Sequence, residues 1–151
     1  MQLVPAASSI AASIRVMIRE GYLVSAIILF RPLIERIATL CYLEENQEAI
    51  ALWREGWPHR ARPSLKARLA AVMPGAPGVL ADRFSEAVSS YNAMVHGDPE
   101  AAQQSLTYVA EGIGYVTDRD YGAPRRAAVI ALETGVAVAI LIARTESIFQ
   151  P

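Results

Sequence analysis

Apolar positions recur at helical spacing through most of this chain, and the breaks between the repeats fall at glycine and proline. An amphipathic segment from Ser8 or Ser9 to about Glu20 places Ile10, Ile14, Met17 and Ile18 on one face, and Gly21 ends it. The next stretch, 22–44, is apolar nearly all round through Leu23, Ile27, Phe30, Leu33, Ile37 and Leu40. A helix of that pattern is buried on several sides and forms the predicted spine. Pro32 lies inside it, lacks an amide proton and crowds the carbonyl of Ile28, so the sequence predicts a kink or a division there.

Shorter helices follow over Gln47–Glu55, closed by Gly56 and Pro58, and over Ser64–Met73, behind Pro63. From about Val79 to His96, Leu80, Phe84, Val88, Tyr91 and Val95 share one face, and Gly97 followed by Asp98-Pro99 stops the helix. Residues 106–116 mix β-branched and aromatic side chains around Glu111-Gly112, which is a hairpin signal. A long terminal helix opens at Pro124 or Arg125 and runs to about Ile148. The expectation is one all-α domain over 1–151, a helical bundle of four to six helices, allowing a small β-hairpin near residues 106–116.

Composition changes this picture in two ways. Hydrophobic residues make up 53% of the chain and charged ones 19%, which predicts that part of the surface is hidden by self-association, in a homodimer or a larger assembly. A net charge of −1 gives no global attraction to nucleic acid or anionic lipid, so any such binding must rest on a local patch. Cys41 is the single cysteine, which excludes an intrachain disulfide and a multi-cysteine metal site. No His-Glu-x-x-His, Gly-x-Ser-x-Gly or phosphate-cradling glycine loop is present, so neither a metal nor a cofactor is expected. The apolar runs 22–43 and 127–143 are interrupted by Arg31, Glu35 and Arg36, and by Glu133 and Gly135, and read as bundle helices without a membrane role. The first residues lack a basic stretch followed by an apolar one, and a cytoplasmic location is expected.

Candidate chemistry concentrates in two places. Asn92 and His96 are four apart at a helix end and so face one small volume, while Arg31 and Glu35 are four apart on the apolar spine, where bare charges are costly. If the two helices pack together, these residues form one cluster. Glu35 then orients His96, and Arg31 supplies a fixed positive charge. The bland alternatives are an intrahelical ion pair for Arg31 and Glu35, and helix capping for His96. The second place is Arg54–Arg68, where Arg54, Arg60, Arg62, Lys66 and Arg68 face one acidic residue, Glu55, with Trp53 and Trp57 alongside. Basic groups next to indoles suit a nucleic-acid surface, and a solvated, proline-stiffened loop with its tryptophans packed inward is the other reading.

The run Tyr91-Asn92-Ala93-Met94-Val95-His96, in an all-helical domain of this length, resembles the HEPN superfamily. The resemblance implies a helical, commonly dimeric bundle, in many members a metal-independent endoribonuclease whose motif is an arginine, a polar residue and a histidine. Asn92 matches the polar position and His96 the histidine; Tyr91 stands where the arginine belongs. Cleavage would then need another cation, and Arg31 is the candidate in type. The resemblance therefore implies an RNA-binding or protein-interaction module in a bacterial defence or toxin-antitoxin setting, catalytically degenerate, with an antitoxin-like partner protein. Two alternatives stand beside it: an active endoribonuclease using His96, and a helical sensor whose pocket, near Tyr22, Phe30 and Tyr115, encloses a small molecule. Whether the protein is an enzyme stays open at the level of sequence.

Overall fold

The computed structural model describes residues 2–58, 61–72, 86, 88, 89, 92, 93, 96, 106–109, 112–115 and 123–149. Its first two helices, α1 (Leu3–Arg19) and α2 (Leu23–Glu45), pack against each other as an αα-hairpin. The joint is a glycine-based stop. Gly21 takes φ +82°, its amide donates to the Ile18 carbonyl at 3.1 Å, and the Tyr22 amide reaches back to Met17 at 2.8 Å. Those two bonds satisfy carbonyls that the helix end would otherwise leave unpaired, and the positive φ is why glycine occupies the turn. The same device closes α3 (Ala49–Arg54), where Gly56 at φ +85° bonds to Trp53 and the Trp57 amide bonds to Leu52 at 2.9 Å.

α1 begins earlier than the Ser8 or Ser9 cap expected from sequence. Pro5 falls in its first turn, where a missing amide proton costs nothing, so the helix starts at Leu3 and takes the serines into its body. Ser13 then donates to the Ser9 carbonyl at 3.0 Å. Nor does Pro32 divide α2, which continues as one helix from Leu23 to Glu45. Leu33 and Ile34, which follow it, are 0% and 4% exposed, and their burial offsets the cost of the lost hydrogen bond.

α4 (Leu65–Ala70) packs on α2, and the terminal helix α5 (Pro124–Phe149) lies across both α1 and α2. The core forms where these helices meet, through Ile14 of α1, Phe30, Leu33 and Ile37 of α2, and Ile130 and Leu141 of α5. An ion pair from Arg144 to Glu44 at 3.3 Å and a bond from Arg144 to the Ala71 carbonyl at 3.2 Å fasten α5 to α2 and to the end of α4. The described positions between 86 and 96 are helical, with Val88 joined to the core; the rest of the helix expected over 79–96 lies outside the described residues. Strands β1 (Leu106–Val109) and β2 (Gly112–Tyr115) pair antiparallel, with Leu106 opposite Tyr115 and Val109 opposite Gly112. The architecture is an all-α bundle carrying this small hairpin.

Cys41 is fully buried on α2, and burial pushes its thiol up from 9.0 to about 11. The native thiol thus holds its proton more tightly than the unfolded one, which stabilises the fold fully below pH 9 and progressively less up to about pH 11. At about pH 8 the folded protein should be inert to an aromatic disulfide reagent and should titrate a full equivalent of thiol once denatured. Rapid reaction of the native protein would contradict this placement.

Candidate functional site

Arg31, Glu35 and Thr39 descend one face of α2 at intervals of four residues. Arg31 sends both Nε (3.2 Å) and Nη2 (2.8 Å) to the same oxygen, Oε1 of Glu35. The intrahelical ion pair predicted from spacing is therefore formed, with the two side chains 20% and 29% exposed. One turn further on, the Thr39 hydroxyl donates to the Glu35 carbonyl at 2.7 Å and accepts from Nη1 of Arg68 at 2.8 Å.

Arg68 comes from α4. Ser64 caps that helix by accepting from the Ala67 amide at 3.1 Å, and its carbonyl accepts from the Arg68 amide at 3.1 Å, so the cap sets the phase of the helix. In this phase Leu65, Arg68, Leu69 and Val72 share the inward face. Arg68 is only 4% exposed, and its Nε is buried without a hydrogen-bond partner. Burial lowers its proton affinity, the positive charge of Arg62 adds to that, Glu35 opposes it and Arg31 reinforces it. The carboxylate of Glu35 acts to hold this buried guanidinium charged, and the hydrogen bond to Thr39 adds to it.

This corrects two expectations. Arg68 was grouped with the surface cations of the basic run, but its phase on α4 turns it into the bundle, where an exposed nucleic-acid contact is impossible. The expected cluster of Arg31, Glu35, Asn92 and His96 is also not joined: the hydrogen bonds of the ion pair stay within it, and Thr39 and Arg68 take the adjoining place. Asn92 is half-buried, with its Oδ1 enclosed and unpartnered, whereas His96 is exposed. Thr39 escaped the sequence reading, although a hydroxyl four residues after Glu35 in an apolar run was the available signal.

Of the remaining basic run, Arg54, Arg62 and Lys66 are exposed, and Arg60 lies outside the described residues. Trp57 packs on Tyr42 with ring centroids 6.4 Å apart and planes tilted by 58°, so this indole is turned to the protein instead of outward. Phe30, expected to line a ligand pocket, is 5% exposed within the core. An apolar groove of about 520 Å³ lies elsewhere, between α1 and α5, lined by residues that include Ala12, Arg15, Ile18, Ala131 and Gly135.

Residues 1–62 are similar to a family of unknown function, DUF5677. That stretch carries α1, α2 and α3, with Arg31, Glu35 and Thr39, and stops before α4 and Arg68. No curated protein and no solved structure matches the chain.

Proposed function

We propose that this protein is a catalytically silent, HEPN-like helical module that binds RNA through an exposed basic strip, in a defence or toxin-antitoxin setting with a partner protein. The observation that carries the reading is the commitment of Arg31, the candidate cation, and of its neighbour Arg68. Arg31 is bonded to Glu35 at 2.8 Å and Arg68 is buried against Thr39, so neither stands ready to hold a scissile phosphate beside the exposed His96. With Tyr91 in the arginine position, general acid or base action by His96 lacks its electrostatic counterpart. Of the described basic residues in the Arg54–Arg68 run, Arg54, Arg62 and Lys66 face solvent against one exposed acid, Glu55, a local excess of positive charge in a chain of net −1. Such a strip supports phosphate-backbone binding, with little sequence preference and strong salt dependence.

The reading is checked by filter retention of single-stranded RNA across a salt series. Wild type should retain RNA at low salt. The double variant Arg62→Ala/Lys66→Ala should bind about tenfold more weakly and flatten the slope of log affinity against log salt by about 1.4, since each lost phosphate contact removes roughly 0.7. Absence of retention by wild type at low salt would overturn the proposal.

A further inference from the structure

α1 and α5 pack against each other, yet a groove of about 520 Å³ stays open between them. Side-chain size is the reason. Ala11 and Ala12 from α1 and Ala131 and Gly135 from α5 line it, so neither helix fills the space from these positions. A Cβ added at Gly135 would meet nothing within 4 Å. Thr134 also lines the groove, but its hydroxyl donates to the Ile130 carbonyl of its own helix at 2.7 Å and has no proton left to offer. The walls are therefore hydrocarbon.

Charge enters from one edge. Arg15 and Arg19 are four apart on α1, both are exposed, and none of the described lining residues is acidic. Arg19 bonds Glu20 at 3.4 Å, whereas Arg15 has no hydrogen bond or ion pair among the described residues. Ala11 and Ala12 lie a turn before Arg15 and carry no polar group. Polarity is thus graded along the groove, from bare hydrocarbon at the Ala11 end to guanidinium at the Arg15–Arg19 end.

We infer that this groove binds a monomeric amphipathic carboxylate, its hydrocarbon chain laid between α1 and α5 and its carboxylate held by Arg15. Size agrees with such a ligand. The volume falls among the roughly 300–1,000 Å³ typical of small-molecule sites. Ala11 to Arg19 extends about 12 Å along the helix axis at about 1.5 Å per residue, the reach of a medium-length chain. Charge selects the head group, because a planar guanidinium fork meets both oxygens of a carboxylate and an apolar surrounding strengthens the contact. A cationic head would be repelled by both arginines, and a sugar or nucleotide would strand its polar groups against hydrocarbon. By length and composition α5 also passes for a membrane span. A bilayer laid over this groove would, however, have to take in Arg15 and Arg19 on its other wall. The site does not rest on the RNA reading, and it is tested without RNA.

Titration calorimetry with decanoate, kept below its micelle-forming concentration, should show saturable binding at one site per chain. Decyltrimethylammonium, the same chain length with the opposite charge, should bind at least about tenfold more weakly. Arg15→Ala should weaken decanoate binding about tenfold or more, the loss of one charge-assisted contact. Gly135→Leu should abolish it with helix content and thermal midpoint kept, because the added side chain enters open space and leucine favours a helix. Arg125→Ala, on α5 but outside the groove, should bind as wild type does. Absence of saturable decanoate binding by wild type would overturn the inference. So would equal affinity for the two head groups, unchanged affinity in Gly135→Leu, or flotation with phosphatidylglycerol vesicles by a protein that ignores monomeric decanoate.

Discussion

Leu33→Ala is expected to lower the stability of the fold by about 3–4 kcal/mol, the largest loss predicted for a single truncation in this protein. Leu33 is 0% exposed and follows Pro32, where α2 already lacks one backbone hydrogen bond and relies on side-chain packing to stay continuous. Truncation removes the transfer energy of the side chain and leaves a cavity that two neighbouring helices cannot collapse. In a domain of this size the loss should appear as a fall of roughly 10 °C in the thermal midpoint. Ile28→Ala, on the same helix but 39% exposed, is the control and should cost less than about 1 kcal/mol. Equal losses at the two sites would show that the core is not centred on this face of α2.

The second large effect belongs to Glu35. It bonds Arg31 directly and favours the buried charge of Arg68, against the opposing influences of burial, Arg62 and Arg31. Glu35→Ala should therefore destabilise by about 2 kcal/mol, less than a fully buried pair would cost because solvent still reaches both partners of the ion pair. Arg68→Met should stay within about 1 kcal/mol of wild type, since methionine fills the same space without a charge to desolvate. Thr39 would keep its bond to the Glu35 carbonyl. Combining the two substitutions should recover part of the loss, because the guanidinium stranded by Glu35→Ala is then absent. Denaturant midpoints measure all three variants; a neutral Glu35→Ala beside a crippling Arg68→Met would reverse the assigned roles.

Features that depend on residues close in the chain are legible in the sequence. The Arg31–Glu35 pair follows from a separation of four on a helix, the ends of α1 and α3 follow from Gly21 and Gly56, and α2 and α5 follow from their apolar periodicity. Features that depend on how helices dock were harder to read. Charge counted along the chain places Arg68 with the surface cations. Its neighbours Leu65, Leu69 and Val72 already marked position 68 as inward once the phase of α4 was considered. The proposed meeting of Glu35 with His96 required two helices to choose a particular register, which no local rule fixes; α4 fills the adjoining place with Arg68. The start of α1 differs from the expected one for a local reason, since Pro5 suits a first turn and the helix runs on through serines that have the chemistry of caps.

The central proposal is that a nuclease site is not assembled here: among the described residues Arg31 is bonded to Glu35 and Arg68 to Thr39, and no hydrogen bond joins either cation to the exposed His96. Incubation of end-labelled RNA with wild type and with His96→Ala tests this most directly, with retention and fragment length read from the same samples. The account predicts that both proteins retain full-length RNA and that neither shortens it. Fragments that appear with wild type and vanish with His96→Ala would contradict it.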